Sequence, residues 1–226
     1  MPAQLLAAYI GLLKKIEHRK MKTIKLYITI ILGVTILWGC KDANSDLRYA
    51  CKNGNIVEVK KIIESGNIDI NQGAIHHGPT PLMMASSKGK IDVVQLLLEK
   101  GANPNICDGV GDSALLYAIS KGDDSIVKLL LDNGADVNVI SQFGYTPLIL
   151  ASTLSHFNIV KLLLEYGANV NLIDADEKTA LDDALSSKSP EIINLLREHG
   201  AKTGRELKRE KKASEKISKP LENNPK

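Results

Sequence analysis

One spacing governs this chain. Thr80-Pro81-Leu82, Ser113-Ala114-Leu115, Thr146-Pro147-Leu148 and Thr179-Ala180-Leu181 stand 33 residues apart. Leu96-Leu97-Leu98, Leu129-Leu130-Leu131 and Leu162-Leu163-Leu164 keep the same period. So do Gly101-Ala102, Gly134-Ala135, Gly167-Ala168 and Gly200-Ala201. A fixed period of this length marks an array of small units that bury their apolar faces only against neighbours.

Each column has a physical reason. Thr80, Ser113, Thr146 and Thr179 are N-cap residues whose hydroxyls accept from free helix amides. Pro81 and Pro147 suit the first helical position, where no amide donor is missed. Ala85, Ala118, Ala151 and Ala184 are small enough for first helices to approach closely. Gly89 and Gly122 divide the two helices of a unit, with His156 expected in that place later on. Second helices are expected over Ile91–Lys100, Ser125–Asn133, Asn158–Tyr166 and Glu191–His199, closed by left-handed glycines at 101, 134, 167 and 200. The Asn- and Asp-rich segments that follow are turns expected to project as hairpins.

The period, the T-P-L string and the G-A-N/D-x-N string together resemble the ankyrin-repeat family over about residues 45–201. The resemblance implies an all-α solenoid of helix-turn-helix units with projecting β-hairpin turns. Five repeats are expected, at 45–77, 78–110, 111–143, 144–176 and a capping 177–201. Repeat one carries two extra residues in its outgoing hairpin. Its Glu58 and Lys61 replace Val93 and Leu96 on the face a preceding repeat would cover. Arg197 replaces Leu98, Leu131 and Leu164 at the other end. Polar terminal repeats keep an array soluble, so the array reads as complete.

Charge divides the chain into three parts. Residues 1–39 carry +5, residues 40–201 carry −7, and residues 202–226 carry +5. An acidic body argues against a nucleic-acid-binding domain. The closing 202–226 stretch has no apolar period and is expected to be a solvated, disordered basic tail, or a short helix over 205–216. Its charge suits anionic lipid or an acidic partner, or serves only to solvate the end.

The first forty residues read as an address. Lys22 and Lys25 precede thirteen uncharged residues, Leu26–Trp38, which are too few to span a membrane and match a signal-peptide core. Leu37-Trp38-Gly39-Cys40 resembles the lipobox of bacterial lipoproteins, which implies lipidation of Cys40, cleavage before it, and a short tether over 40–44. Trp38 departs from the small residue usual there. An uncleaved signal anchor is the alternative, and a helix of the soluble domain a third. Met21 begins a full signal by itself and is the expected start.

Catalytic and metal motifs do not emerge, so no enzyme and no cofactor are expected. His76 and His77 are neighbours that point apart. Asp182 and Asp183 are adjacent on a first helix and are expected to form a solvated cap face. Cys51 and Cys107 fit no zinc or redox spacing; both are expected as small buried residues, a bridge between them being formally possible.

In ankyrin proteins partners meet the hairpin tips and first helices. By column this implies three groups: Gly109, Val110 and Asp112 with Ser87 and Lys88; Gln142, Phe143 and Tyr145 with Ser120 and Lys121; and Ala175, Asp176 and Lys178 with Thr153 and Leu154. Phe143 and Tyr145 flank Gly144 and are the expected anchors, unless Phe143 folds back on its own repeat. The function implied is a monomeric, membrane-tethered protein-binding lipoprotein on the periplasmic or cell-surface side. The rivals are a cytoplasmic or secreted effector, or a module that neutralises an enzyme.

Overall fold

The computed structural model describes residues 43–66, 68–73 and 78–218, all within the second of the chain's two units, Ala43–Lys226. The leader, Cys40, most of the tether, and His76 and His77 lie outside the described residues. Eleven helices and no strand occur among them: α1 Ala43–Asn53, α2 Ile56–Glu64, α3 Pro81–Ser87, α4 Ile91–Glu99, α5 Ala114–Lys121, α6 Asp124–Asp132, α7 Pro147–Thr153, α8 Phe157–Glu165, α9 Ala180–Ser186, α10 Pro190–Glu198 and α11 Gly204–Ser218. None is long and apolar enough to cross a membrane.

The first ten helices form five pairs. Each first helix from α3 onward is capped as its sequence predicts: Thr80, Ser113, Thr146 and Thr179 accept from the amides of Met83, Leu116, Ile149 and Asp182. Second helices end one residue before the expected boundary, because Lys100, Asn133, Tyr166 and His199 serve as C-caps ahead of the left-handed glycines. The break inside the repeat needs one correction. Gly54, Gly89 and Gly122 take positive φ there, and Ser155 (φ 57°) and Lys188 (φ 54°) follow them, not His156. His156 is instead the N-cap residue of α8, with its ring against Gly122.

The core is a layered column. Ala85, Ala118, Ala151 and Ala184 are fully buried, and neighbouring first helices lie closer than neighbouring second helices. On the second helices Val93, Ile126 and Ile159, and four residues on Leu97, Leu130 and Leu163, repeat as fully buried side chains of the same core. The Ser86 and Ser152 hydroxyls are buried without a partner, a small cost of using serine in that layer.

Asparagine links one turn to the next. Asn71 Oδ1 accepts from Asn103 N, Asn105 Oδ1 from Asp136 N, Asn138 Oδ1 from Asn169 N, and Asn171 Oδ1 from Lys202 N, all within 2.7–2.8 Å. Asn105 and Asn171 also donate to the carbonyls of Gly134 and Gly200.

The ends differ from expectation on one side. In repeat one, Glu58 and Lys61 stay at the surface and Arg48 donates to the Gly73 carbonyl. At the other end the stretch expected as a disordered tail, or as a short helix over 205–216, contains the longer helix α11, which docks on the last repeat. Thr203 caps it, exchanging hydrogen bonds with Glu206. Arg197 is exposed at this end, and its guanidinium also donates twice to Glu206, at 3.0 and 3.2 Å. Asp182 and Asp183, expected as a solvated cap face, are half-buried and engaged. Asp182 accepts from Thr179 N and from Gly204 N, while Asp183 accepts from the Thr153 hydroxyl.

Two outcomes follow from this packing. Leu130 is fully buried in a central repeat, so Leu130→Ala should cost roughly 2–5 kcal/mol in chemical denaturation, the range for a truncated core leucine. Arg197, then the amide and hydroxyl of Thr203, hold Glu206 down to about 2 from 4.5. A depressed carboxylate stabilises the docked form above its ordinary value, and that contribution disappears as pH falls through about 2. Chemical shifts of residues 204–218 should therefore report loosening of α11 between about pH 4.5 and 2, and Glu206→Gln should remove that part of the transition.

Candidate partner-binding face

Three tight turns project from the stack. Their arms are joined by Asp108 N to Asp112 O, Ser141 N to Tyr145 O, and Asp174 N to Lys178 O. A side-chain oxygen fills each turn: Asp108 Oδ1 accepts from the Val110 and Asp112 amides, Ser141 Oγ from Tyr145, and Asp174 Oδ1 from Asp176 and Lys178. Neighbouring tips touch, with Gln142 N on the Val110 carbonyl at 2.9 Å and Ala175 N on the Phe143 carbonyl at 3.4 Å. A Cβ on Gly111 or Gly144 would fall 2.7 Å or 2.6 Å from the next tip's backbone nitrogen, so glycine is required at both positions.

With their backbones held, the tips present side chains outward. Phe143 is 60% exposed and Tyr145 40%. Gln142 and Val110 are exposed beside them, and Asp112 is half-buried. Lys88, at the C-cap of α3, and Lys121, the last residue of α5, are exposed at the first-helix ends. Asp176 and Lys178 are exposed and paired at 3.9 Å.

One further column belongs to this face and escaped the motif reading. Tyr49, Met84, Tyr117, Leu150 and Asp183 occupy the same place in successive first helices, given the two extra residues of repeat one. Tyr49 is 69% exposed and the next four are half-buried. Tyr117 fixes the orientation of this column: its hydroxyl donates to Asp108 Oδ2 at 2.8 Å, so the ring leans toward the base of the tip. Burial, that hydrogen bond and the Asp108 and Asp112 charges raise the tyrosine's pKa. Burial, then Asp108, also raises Asp112. The signal was available in the 33-residue register, but these positions carry no recurring residue.

The cysteines separate. Cys51 is buried, as expected, and burial pushes its thiol up to about 12. Cys107 is exposed, contrary to expectation, because it sits where the turn pairs with Ser113. Desolvation and the charges of Asp108, Asp112 and Asp136 raise its pKa too. Both thiols are free, so the formally possible bridge is not formed. Between α6 and α8, on the opposite side of the repeats, lies an open groove of about 310 Å³ lined by Asp124, Lys128, Asn158 and Lys161.

The geometry has counterparts among known proteins. The family described as Ankyrin repeats matches in three copies, at residues 27–108, 47–141 and 115–206. The chain is 33% identical over 76 residues to a probable E3 ubiquitin-protein ligase, XBOS33, of Oryza sativa subsp. japonica, covering 34% of this chain and 15% of that protein. It is 37% identical over 60 residues to the human transient receptor potential cation channel subfamily A member 1, covering 26% and 5%. To the putative ankyrin repeat protein FPV240 of Fowlpox virus (strain NVSL) it is 32% identical over 65 residues, covering 29% and 16%. The chain thus spans a small fraction of each relative, and the likeness covers only segments of 60–76 residues. Recurring caps, paired helices, linked turns and matches running from residue 27 to 206 agree, and the chain belongs to the ankyrin-repeat family.

Proposed function

We propose that this chain is a non-catalytic scaffold that binds a protein through its hairpin tips and first helices, and that a lipid on Cys40 holds it at a bacterial membrane. Ankyrin repeats are protein-interaction scaffolds, which is the general part of this reading. The observation that carries the site is the pair Phe143 and Tyr145: the turn that bears them is pinned by its backbone and by Ser141, which leaves both rings outward. Exposed aromatic side chains supply large contact area with few rotors to freeze, and such residues dominate binding energies.

Tyr117, Leu150 and Val110 extend the same face, and the rigid stack presents them without reordering. The membrane part rests on sequence: the apolar run Leu26–Trp38 and the Leu37-Trp38-Gly39-Cys40 ending. On this reading the scaffold faces the periplasm or the cell surface and works as a monomer. No nucleic acid is involved, because the repeat body is acidic.

Two experiments test the two parts separately. Replacing Phe143 and Tyr145 together by Ala should leave stability within about 0.5 kcal/mol per site, as for surface positions. The same change should weaken binding to a partner recovered from detergent-solubilised membranes by at least about 2 kcal/mol. Unchanged affinity would move the site elsewhere on the face, and a large drop in melting temperature would make the rings part of the fold. For the anchor, labelling with a palmitate analogue should mark the parent chain and not Cys40→Ser, which should persist as a membrane-bound precursor. A parent chain that is unlabelled and fractionates with the cytoplasm would favour the effector reading.

A further inference from the structure

Helix α11 sorts its charges by direction. From Gly204 to Ser218 the sequence carries six basic and three acidic residues. With 3.6 residues per turn, Arg205, Arg209, Lys212 and Lys216 fall within one sector of about 60°, and no carboxylate shares it. Glu206 and Glu210 are spent elsewhere, pairing with Arg197 at 3.0 Å and Lys202 at 2.6 Å. Lys208 pairs with Glu177. Lys208, Lys211, Leu207 and Ile173 line a crevice of about 230 Å³ between the helix and the last turn. Arg205, Arg209 and Lys212 are exposed, and no hydrogen bond or ion pair among the described residues engages them.

The helix cannot swing freely. Gly204 N donates to Asp182 at 2.7 Å, and the Thr179 hydroxyl donates to the Lys202 carbonyl at 2.8 Å. Gly204 also lies so close to the Glu177 carbonyl that any Cβ there would overlap it. The first turns of the helix are thereby held on the stack, and the exposed Arg205, Arg209 and Lys212 form a row on its outer flank; by register Arg205 to Lys212 covers about 10 Å at 1.5 Å per residue.

We infer that this row is a docking surface for the anionic headgroups of a lipid bilayer. A straight row of cations on one flank of a helix fits a flat anionic surface. The repeat body carries −7 over residues 40–201, which opposes any polyanion that wraps around the protein and tolerates one touched along an edge. Lipid is preferred to an acidic protein because the leader reading already places the chain at a membrane, and in that respect the inference rests on the proposed anchor. Each basic residue near an anionic membrane surface strengthens association about fivefold.

The full-length chain is mixed with vesicles of phosphatidylcholine alone, or of phosphatidylcholine with phosphatidylglycerol, and floated. Amide exchange over 204–218 is then compared between the two floated fractions. Phosphatidylglycerol should slow exchange in α11 about tenfold relative to the repeats, and added salt should restore it. Arg209→Gln with Lys212→Gln should abolish the difference and leave the thermal melt unchanged, since both side chains are exposed. Flotation with both vesicles but equal exchange overturns the row and keeps the anchor. Flotation only with phosphatidylglycerol, lost in the double variant, keeps the row and overturns the anchor. Flotation with neither overturns both. A slowing that survives the double variant, or that duplex DNA reproduces at the same ionic strength, also overturns the lipid assignment.

Discussion

Close stacking of first helices on a column of buried alanines is the contact from which the other features of this structure follow. Helices α3, α7 and α9 have only seven residues each, far below the length at which an isolated helix holds together in water. Their stability comes from neighbours. Alanine at 85, 118, 151 and 184 lets each first helix approach the next, so the apolar residues of both helices in a pair are covered from two sides. A larger residue in that column would separate the repeats and uncover Val93, Ile126 and Ile159 together.

The turns depend on that spacing. Asn71, Asn105, Asn138 and Asn171 each reach an amide about one repeat away, which works only if the repeat distance is constant. Gly111 and Gly144 bring the tips into backbone contact. Main-chain bonds and turn oxygens hold the tips, and the exposed side chains of Val110, Phe143 and Tyr145 are not among the groups that make those bonds. A protein-binding surface placed there varies at little cost to the fold. Tyr117 is the exception, since its hydroxyl also steadies Asp108.

Caps, prolines and left-handed glycines were legible in the sequence because each performs a local task at a fixed position. The proposed partner face was partly legible. Phe143 and Tyr145 stand out as rare residues beside a turn glycine, whereas Tyr49, Met84 and Leu150 are ordinary residues whose shared direction emerges only when the repeats are aligned. Two features were less legible, for a different reason. Ser155 and Lys188 accept a backbone strained for non-glycine residues, which residue preference does not reveal. Helix α11 was expected only as the alternative to a disordered tail, because it has almost no apolar periodicity and the groups that tie it down, Asp182, Arg197, Lys202 and Glu177, meet it only in the folded stack. Cys107 was misplaced because a small apolar residue can close a turn as well as fill a core.

Gly204 gives this stack a direction of growth. The junctions at Gly111 and Gly144 are interchangeable: a second copy of residues 111–143 inserted after Phe143 would meet the same glycine, the same asparagine reach and the same alanine spacing. The junction after Lys178 is not, because α11 occupies the position against Glu177 that another tip would take, through a contact that tolerates no side chain. Gene duplication can thus lengthen the array from within, while addition at its end must first displace the helix.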